Sequence, residues 1–128
     1  MDQNAINNLR DALAHSPDNI PLRLHLAQSL AQLFQYQEAE QEFKAVLRLN
    51  PQHKDAKFGL AKAYFHQEKY GVTIVVIEEL LHLAPDNESY KLLLCRAYLR
   101  NDNKAEAQQA FQELVRANPT LRDEELDQ

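Results

Sequence analysis

Glycine is nearly missing from this chain, with two in 128 residues. Sheets joined by tight hairpins need residues that tolerate positive φ, so this scarcity argues for helices. One cysteine excludes an internal disulfide and fits a reducing compartment. No apolar run approaches the 18 or so residues of a membrane span, and none at the N-terminus has signal-peptide length, which makes a cytoplasmic location the default expectation. A basic excess is absent too: 14 Lys and Arg face 19 Asp and Glu, for a formal charge of -5. Neither nucleic acid nor an anionic membrane is favoured as a partner, because both ask for a basic face. Four acids against one arginine among Arg122, Asp123, Glu124, Glu125 and Asp127 give -3 of that charge, so the acidity is largely a property of the tail.

The chemistry-bearing motifs are missing as well. There is no glycine-rich phosphate loop and no nucleophile elbow. His15, His25, His53, His66 and His82 share no helix face at metal-ligand spacing. Glu78-Glu79 and Glu124-Glu125 read as solvated charges. No catalytic residue, metal site or cofactor is implied, and the expectation is a protein without enzymatic activity.

What is present is a register. Pro17, Pro51, Pro85 and Pro119 stand 34 residues apart without insertion or deletion. Aligning on them stacks Leu26, Leu60 and Leu94, then Ala27, Ala61 and Cys95, then Ser29, Ala63 and Ala97, then Leu30, Tyr64 and Tyr98. Further along come Tyr36 and Tyr70, then Ala39, Thr73 and Ala107, then Phe43, Ile77 and Phe111. Small residues suit positions where two helices nearly touch, and the large apolar ones fill the space beside them. The spacing of three and four, as in Leu22, Leu26, Ala27 and Leu30, then Ala39, Phe43, Val46 and Leu47, predicts two amphipathic helices per unit.

These columns resemble the tetratricopeptide repeat, a 34-residue helix-turn-helix unit. The resemblance covers residues 20–53, 54–87 and 88–119 as three units. Residues 4–17 match the second helix of another, with Ala5, Leu9, Ala12 and Leu13 in the columns of Ala39, Phe43, Val46 and Leu47, and 120–128 is left as an acidic tail or linker. The implied fold is all-α, a right-handed superhelical α-solenoid of antiparallel helix pairs. This sequence departs from the family where Arg23, Lys57 and Lys91 replace an early aromatic. Phe34, Glu68 and Asp102 replace the usual turn glycine, at a cost of about 1 kcal/mol for Phe and Glu if the left-handed turn is kept.

In the family the concave face is lined by the first helices and takes peptides. The matching positions here are Leu24, Gln28 and Ala31, then Phe58, Lys62 and Phe65, then Leu92, Arg96 and Leu99, with His66 and Arg100 at the rim. This lining of aromatics, leucines and cations, without an acid, suggests a protein or peptide partner presenting apolar side chains and one or two carboxylates. The subgroup that clamps chaperone C-termini is matched only at Arg96, which disfavours that role.

A second expectation concerns Tyr70 to Ile77, a β-branched run whose phase turns Val72, Val75 and Val76 outward. Such a patch is a candidate homodimer interface or docking face. Residues 11–27 also look similar to leader repeats that precede ATPase domains in some bacterial AAA-type proteins. The alternative to a peptide-binding module is therefore an assembly element, including the recruitment domain of a larger ATPase.

Overall fold

A computed structural model describes residues 2–127. Among the described residues lie seven α-helices: α1 (Gln3–His15), α2 (Ile20–Gln32), α3 (Tyr36–Leu49), α4 (Lys54–His66), α5 (Tyr70–Leu83), α6 (Glu88–Arg100) and α7 (Lys104–Ala117). They fall into two units, the first ending at Gln67 and the second starting at Glu68.

The same local chemistry recurs at the starts of α2, α4 and α6. α2, α4 and α6 begin after Asn19, His53 and Asn87, whose side chains accept from the backbone N–H of Leu22 at 3.0 Å, Ala56 at 3.1 Å and Tyr90 at 3.0 Å. Each cap satisfies an N–H that the helix leaves without a partner. α3, α5 and α7 have no such side-chain cap. They follow Phe34, Glu68 and Asp102, all left-handed with φ of 61°, 64° and 61°. The glycine position of the repeat thus keeps its conformation without glycine. In the first turn Phe34 N donates to Ala31 O at 3.0 Å and Gln35 N to Leu30 O at 2.9 Å. Asp102 and Asn103 repeat this on Leu99 at 3.3 Å and Tyr98 at 2.8 Å. This paired closure is the Schellman arrangement, and it reverses the chain within two residues. Pro17, Pro51, Pro85 and Pro119 each stand just after the C-cap of α1, α3, α5 and α7, where the helix can no longer continue.

In the first unit α2 packs on α1, α3 and α4, and α3 packs on α4. Its core holds Ile6, Leu13, Leu26, Leu30, Ala39, Phe43, Val46 and Leu60. Of the positions assigned to α1, Leu13 is buried, Ala5 and Leu9 are half-buried and Ala12 is exposed, while Ile6, outside the assigned columns, is fully buried. Within this unit α1 packs on α2, and its Arg10 pairs with Glu38 of α3 at 2.8 Å. In the second unit α6 packs between α5 and α7, with Cys95, Phe111 and Leu114 forming a cluster. The small columns are buried throughout, including Ala27, Ala61 and Cys95. Despite its β-branched composition the run from Tyr70 is helical, with Thr73 and Ile77 buried and Ile74 half-buried.

Candidate functional site

The expected groove residues fall in both units. Leu24, Gln28, Phe58, Lys62, Phe65 and His66 belong to the first, and Leu92, Arg96 and Arg100 to the second.

In the first unit α2 and α4 flank a recess of about 370 Å³. Gln28, Ala31 and Gln32 line it from α2, Tyr36 and Phe43 from α3, and Asp55, Gly59, Lys62, Ala63 and His66 from α4. Its floor depends on Gly59. A Cβ there would stand 2.3 Å from Phe43 Cε1, so only glycine lets the Phe43 ring lie against the α4 backbone. One wall is the Tyr36 ring stacked on His66, with centroids 4.5 Å apart and planes at 16°. Lys62 is exposed and carries its ammonium 4.5 Å from the Phe58 ring centroid, a cation–π contact that steers the charge. Gln67, just past α4, donates to Glu40 at 3.0 Å and to Ala63 O at 3.1 Å, which pins the end of α4 beside α3. Glu40 is buried and pairs with Lys44 at 2.8 Å, and this hydrogen bond raises the Lys44 pKa.

Four of the seven residues expected to line this unit's groove or its rim, Gln28, Ala31, Lys62 and His66, come together in the recess. Phe65 does not: it is buried, its ring edge on His66 at 5.6 Å. Leu24 is half-buried against the core. Phe58 is half-buried beneath Lys62. The recess also holds an acid, Asp55, which corrects the expectation of an acid-free lining. Extending the same three-residue step back from Phe58 reaches Asp55, and Gln32 occupies the position that His66 has one repeat later, so the register contained both.

In the second unit Leu92 packs half-buried on the Cys95 cluster. Arg96 and Arg100 are both ion-paired. Arg96 donates from Nε to Asp123 Oδ2 at 2.9 Å, and its Nη2 reaches the same oxygen. Arg100 bonds Glu125 through Nε at 2.5 Å and Nη2 at 3.3 Å, and reaches the Tyr70 hydroxyl at 3.4 Å. The Glu125 carboxylate, with Tyr70 next, pushes the Arg100 pKa further up. On α5, Val72 and Val75 are 45% and 56% exposed and Val76 is half-buried. Leu83, at 43%, continues that stripe. Among the described residues no group of three or more His, Cys, Asp or Glu could hold a metal ion, and no helix is long and apolar enough to cross a membrane.

An all-α chain with capped 34-residue helix pairs around small-residue columns defines a helical-repeat protein. Two tetratricopeptide repeat profiles match it, one over residues 24–88 and the other over 3–41 and 65–127, and the chain belongs to this family. It is similar to tetratricopeptide repeat protein 21A of Mus musculus, 32% identical over 114 residues, covering 88% of this chain but 8% of that protein. Among solved structures, MamA 41-end from Desulfovibrio magneticus RS-1 superposes with a TM-score of 0.85 at 25% identity, over 91% of this chain and 66% of that one. A tetratricopeptide repeat protein from Parabacteroides merdae gives 0.85 at 19% identity, over 92% and 46%. These neighbours agree with an all-α solenoid of helix pairs.

Proposed function

We propose that this chain is a non-enzymatic protein-binding module whose α2–α4 recess takes a partner segment carrying apolar side chains and a carboxylate. The family supports protein interaction in general, and the recess gives it a chemistry. The observation that carries the reading is the exposed Lys62 ammonium beside the Tyr36–His66 stack, in a recess floored by the Phe43 ring. A carboxylate meets Lys62 in a charge-assisted hydrogen bond, and an aliphatic or aromatic side chain fills the space over Phe43. Asp55 and the amides of Gln28 and Gln32 then select a backbone or a donor beside the apolar anchor.

Fluorescence anisotropy with labelled acidic-apolar peptides tests this. Lys62→Glu is expected to weaken binding at least about tenfold, or about 1.4 kcal/mol. Unchanged affinity in a folded variant rejects the recess as the site.

The second reading, an assembly element, draws support from the α5 stripe of Val72, Val75, Val76 and Leu83. A second copy of the chain is the occupant whose test is direct, through mass in solution.

A further inference from the structure

The turn between α2 and α3 carries an aromatic side chain that the fold does not use. At the equivalent turns Glu68 and Asp102 hold the same left-handed backbone with polar side chains, whereas Phe34 holds it with a ring left 78% exposed. That φ disfavours any residue with a Cβ, and a ring in solvent recovers nothing from the core. A backbone outlier of this kind points to a contact made with something else.

The surroundings of Phe34 give that contact a chemistry. Its ring meets the Tyr36 ring with centroids 6.2 Å apart and planes at 62°, so the two form the sides of an open notch. His66 stacks on Tyr36, which occupies one face of the tyrosine and fixes the orientation of its ring. The notch opens into a surface cavity of about 400 Å³ lined by Phe34, Gln35, Tyr36, Gln37, Glu38 and Gln67. Of its three amides, Gln35 donates to Gln3 of α1 at 3.2 Å and Gln67 turns its Nε2 inward onto Glu40 and Ala63, while Gln37 is exposed. The one charged side chain of the lining, Glu38, is paired with Arg10 at 2.8 Å. The cavity thus offers aromatic faces and amides, with its single charge neutralised. Tyr36 alone is shared with the α2–α4 recess.

We propose that this notch docks a proline-rich segment in the polyproline II conformation. A prolyl ring is compact, apolar and neutral, and it stacks in the angle between two aromatic rings. The polyproline II backbone has no internal hydrogen bonds, so its carbonyls accept from the Gln37 amide. A cation would also suit two rings, but it calls for a carboxylate that is not already engaged, and Glu38 is held by Arg10. An acidic segment finds no cation in the lining. A flexible aliphatic segment would lose more freedom on an open surface than one that is ordered beforehand.

The probe is fluorescein-labelled decaproline, titrated into the full chain and read by fluorescence anisotropy. Saturable binding tighter than about 1 mM is expected, and a labelled Gly-Ser peptide of equal length should not bind. Phe34→Gly, which gives the turn the residue that suits its φ, is expected to weaken decaproline at least about tenfold without lowering the thermal midpoint. Gln37→Ala should weaken it by about threefold. If the glycine variant loses helix by circular dichroism, Phe34→Asp, the residue type found at Asp102, carries the same comparison. Lys62→Glu should leave this titration unchanged, so failure at the recess and failure at the notch give different patterns.

Absence of saturable binding to the wild type, equal binding of the Gly-Ser peptide, or full affinity in a folded Phe34 variant overturns the proposal. So does displacement of decaproline by tetramethylammonium at equal concentration, since the notch would then be a cation cage.

Discussion

Phe34 sits in a left-handed conformation while leaving its ring 78% exposed, and Glu68 shares its backbone geometry. A side chain at such a φ costs about 1 kcal/mol relative to glycine. Glu68→Gly is therefore expected to stabilise the chain by about 1 kcal/mol in urea unfolding. Phe34→Gly should gain less, because it gives up the edge contact with Tyr36 at 6.2 Å. Equal or negative changes at Glu68 would mean that the turn relaxes at no cost. Cys95 makes a different kind of statement. Burial first, and Asp123 second, push its thiol up from 9.0 to about 11. Native protein should resist alkylation at pH 8 and react promptly in denaturant. The sign of the linkage follows from the direction: the folded state holds the proton more tightly. The Cys95 contribution is thus complete below pH 9 and is lost as pH rises through about 11. Cys95→Ala, which restores the residue found at Ala27 and Ala61, should flatten that part of the stability profile. A profile identical to wild type would show that another group governs the alkaline loss.

The helices use their two glycines in opposite ways. Gly59 in α4 is occupied by its neighbour's ring, while a Cβ at Gly71 in α5 would meet nothing within 4 Å. Gly71→Ala is expected to stabilise by up to about 1 kcal/mol through helix propensity. Gly59→Ala gains the same propensity but forces the buried Phe43 ring aside, an overpacking that costs about 1–3 kcal/mol. Its net effect should be destabilising, with a lower thermal midpoint, and a rise would mean that Phe43 swings freely into the recess. Both helices were legible as helices from the spacing of three and four, even α5 with its strand-like composition, because the neighbouring repeats supplied the phase. The seam of α1 was legible in part: Leu9 and Leu13 meet the core as aligned, while Ile6, outside the aligned columns, is its fully buried residue. Phe65 was misplaced for a related reason: periodicity assigns a face, but α4 turns that face partly inward against its neighbours.

Across the whole molecule the proline ladder and small-residue columns carried the fold, because each marks a backbone constraint that recurs identically. Gln28, Ala31, Lys62 and His66, named by register, line the recess, while Phe43 was hidden behind an unremarkable glycine. The fate of the tail was not legible. Composition separates acids from apolar residues, but it does not reveal that Asp123 meets an arginine 27 positions earlier. The α5 stripe belongs to this scale too. If it joins two copies, wild-type protein should show a concentration-dependent rise toward dimer mass by light scattering, and Val72→Glu with Val75→Glu should hold it at 14.8 kDa. Monomer mass for both chains at all concentrations removes the interface.

Among the described residues, side-chain bonds join positions close along the chain, as in Arg23–Glu42, 19 residues apart, and Gln3–Gln35, 32 apart. Loops that short close at little entropic cost, and topologies rich in local contacts fold in microseconds to milliseconds. Each helix pair therefore finds its partner soon after synthesis. The apolar faces of the helix pairs spend little time exposed to the wrong neighbours.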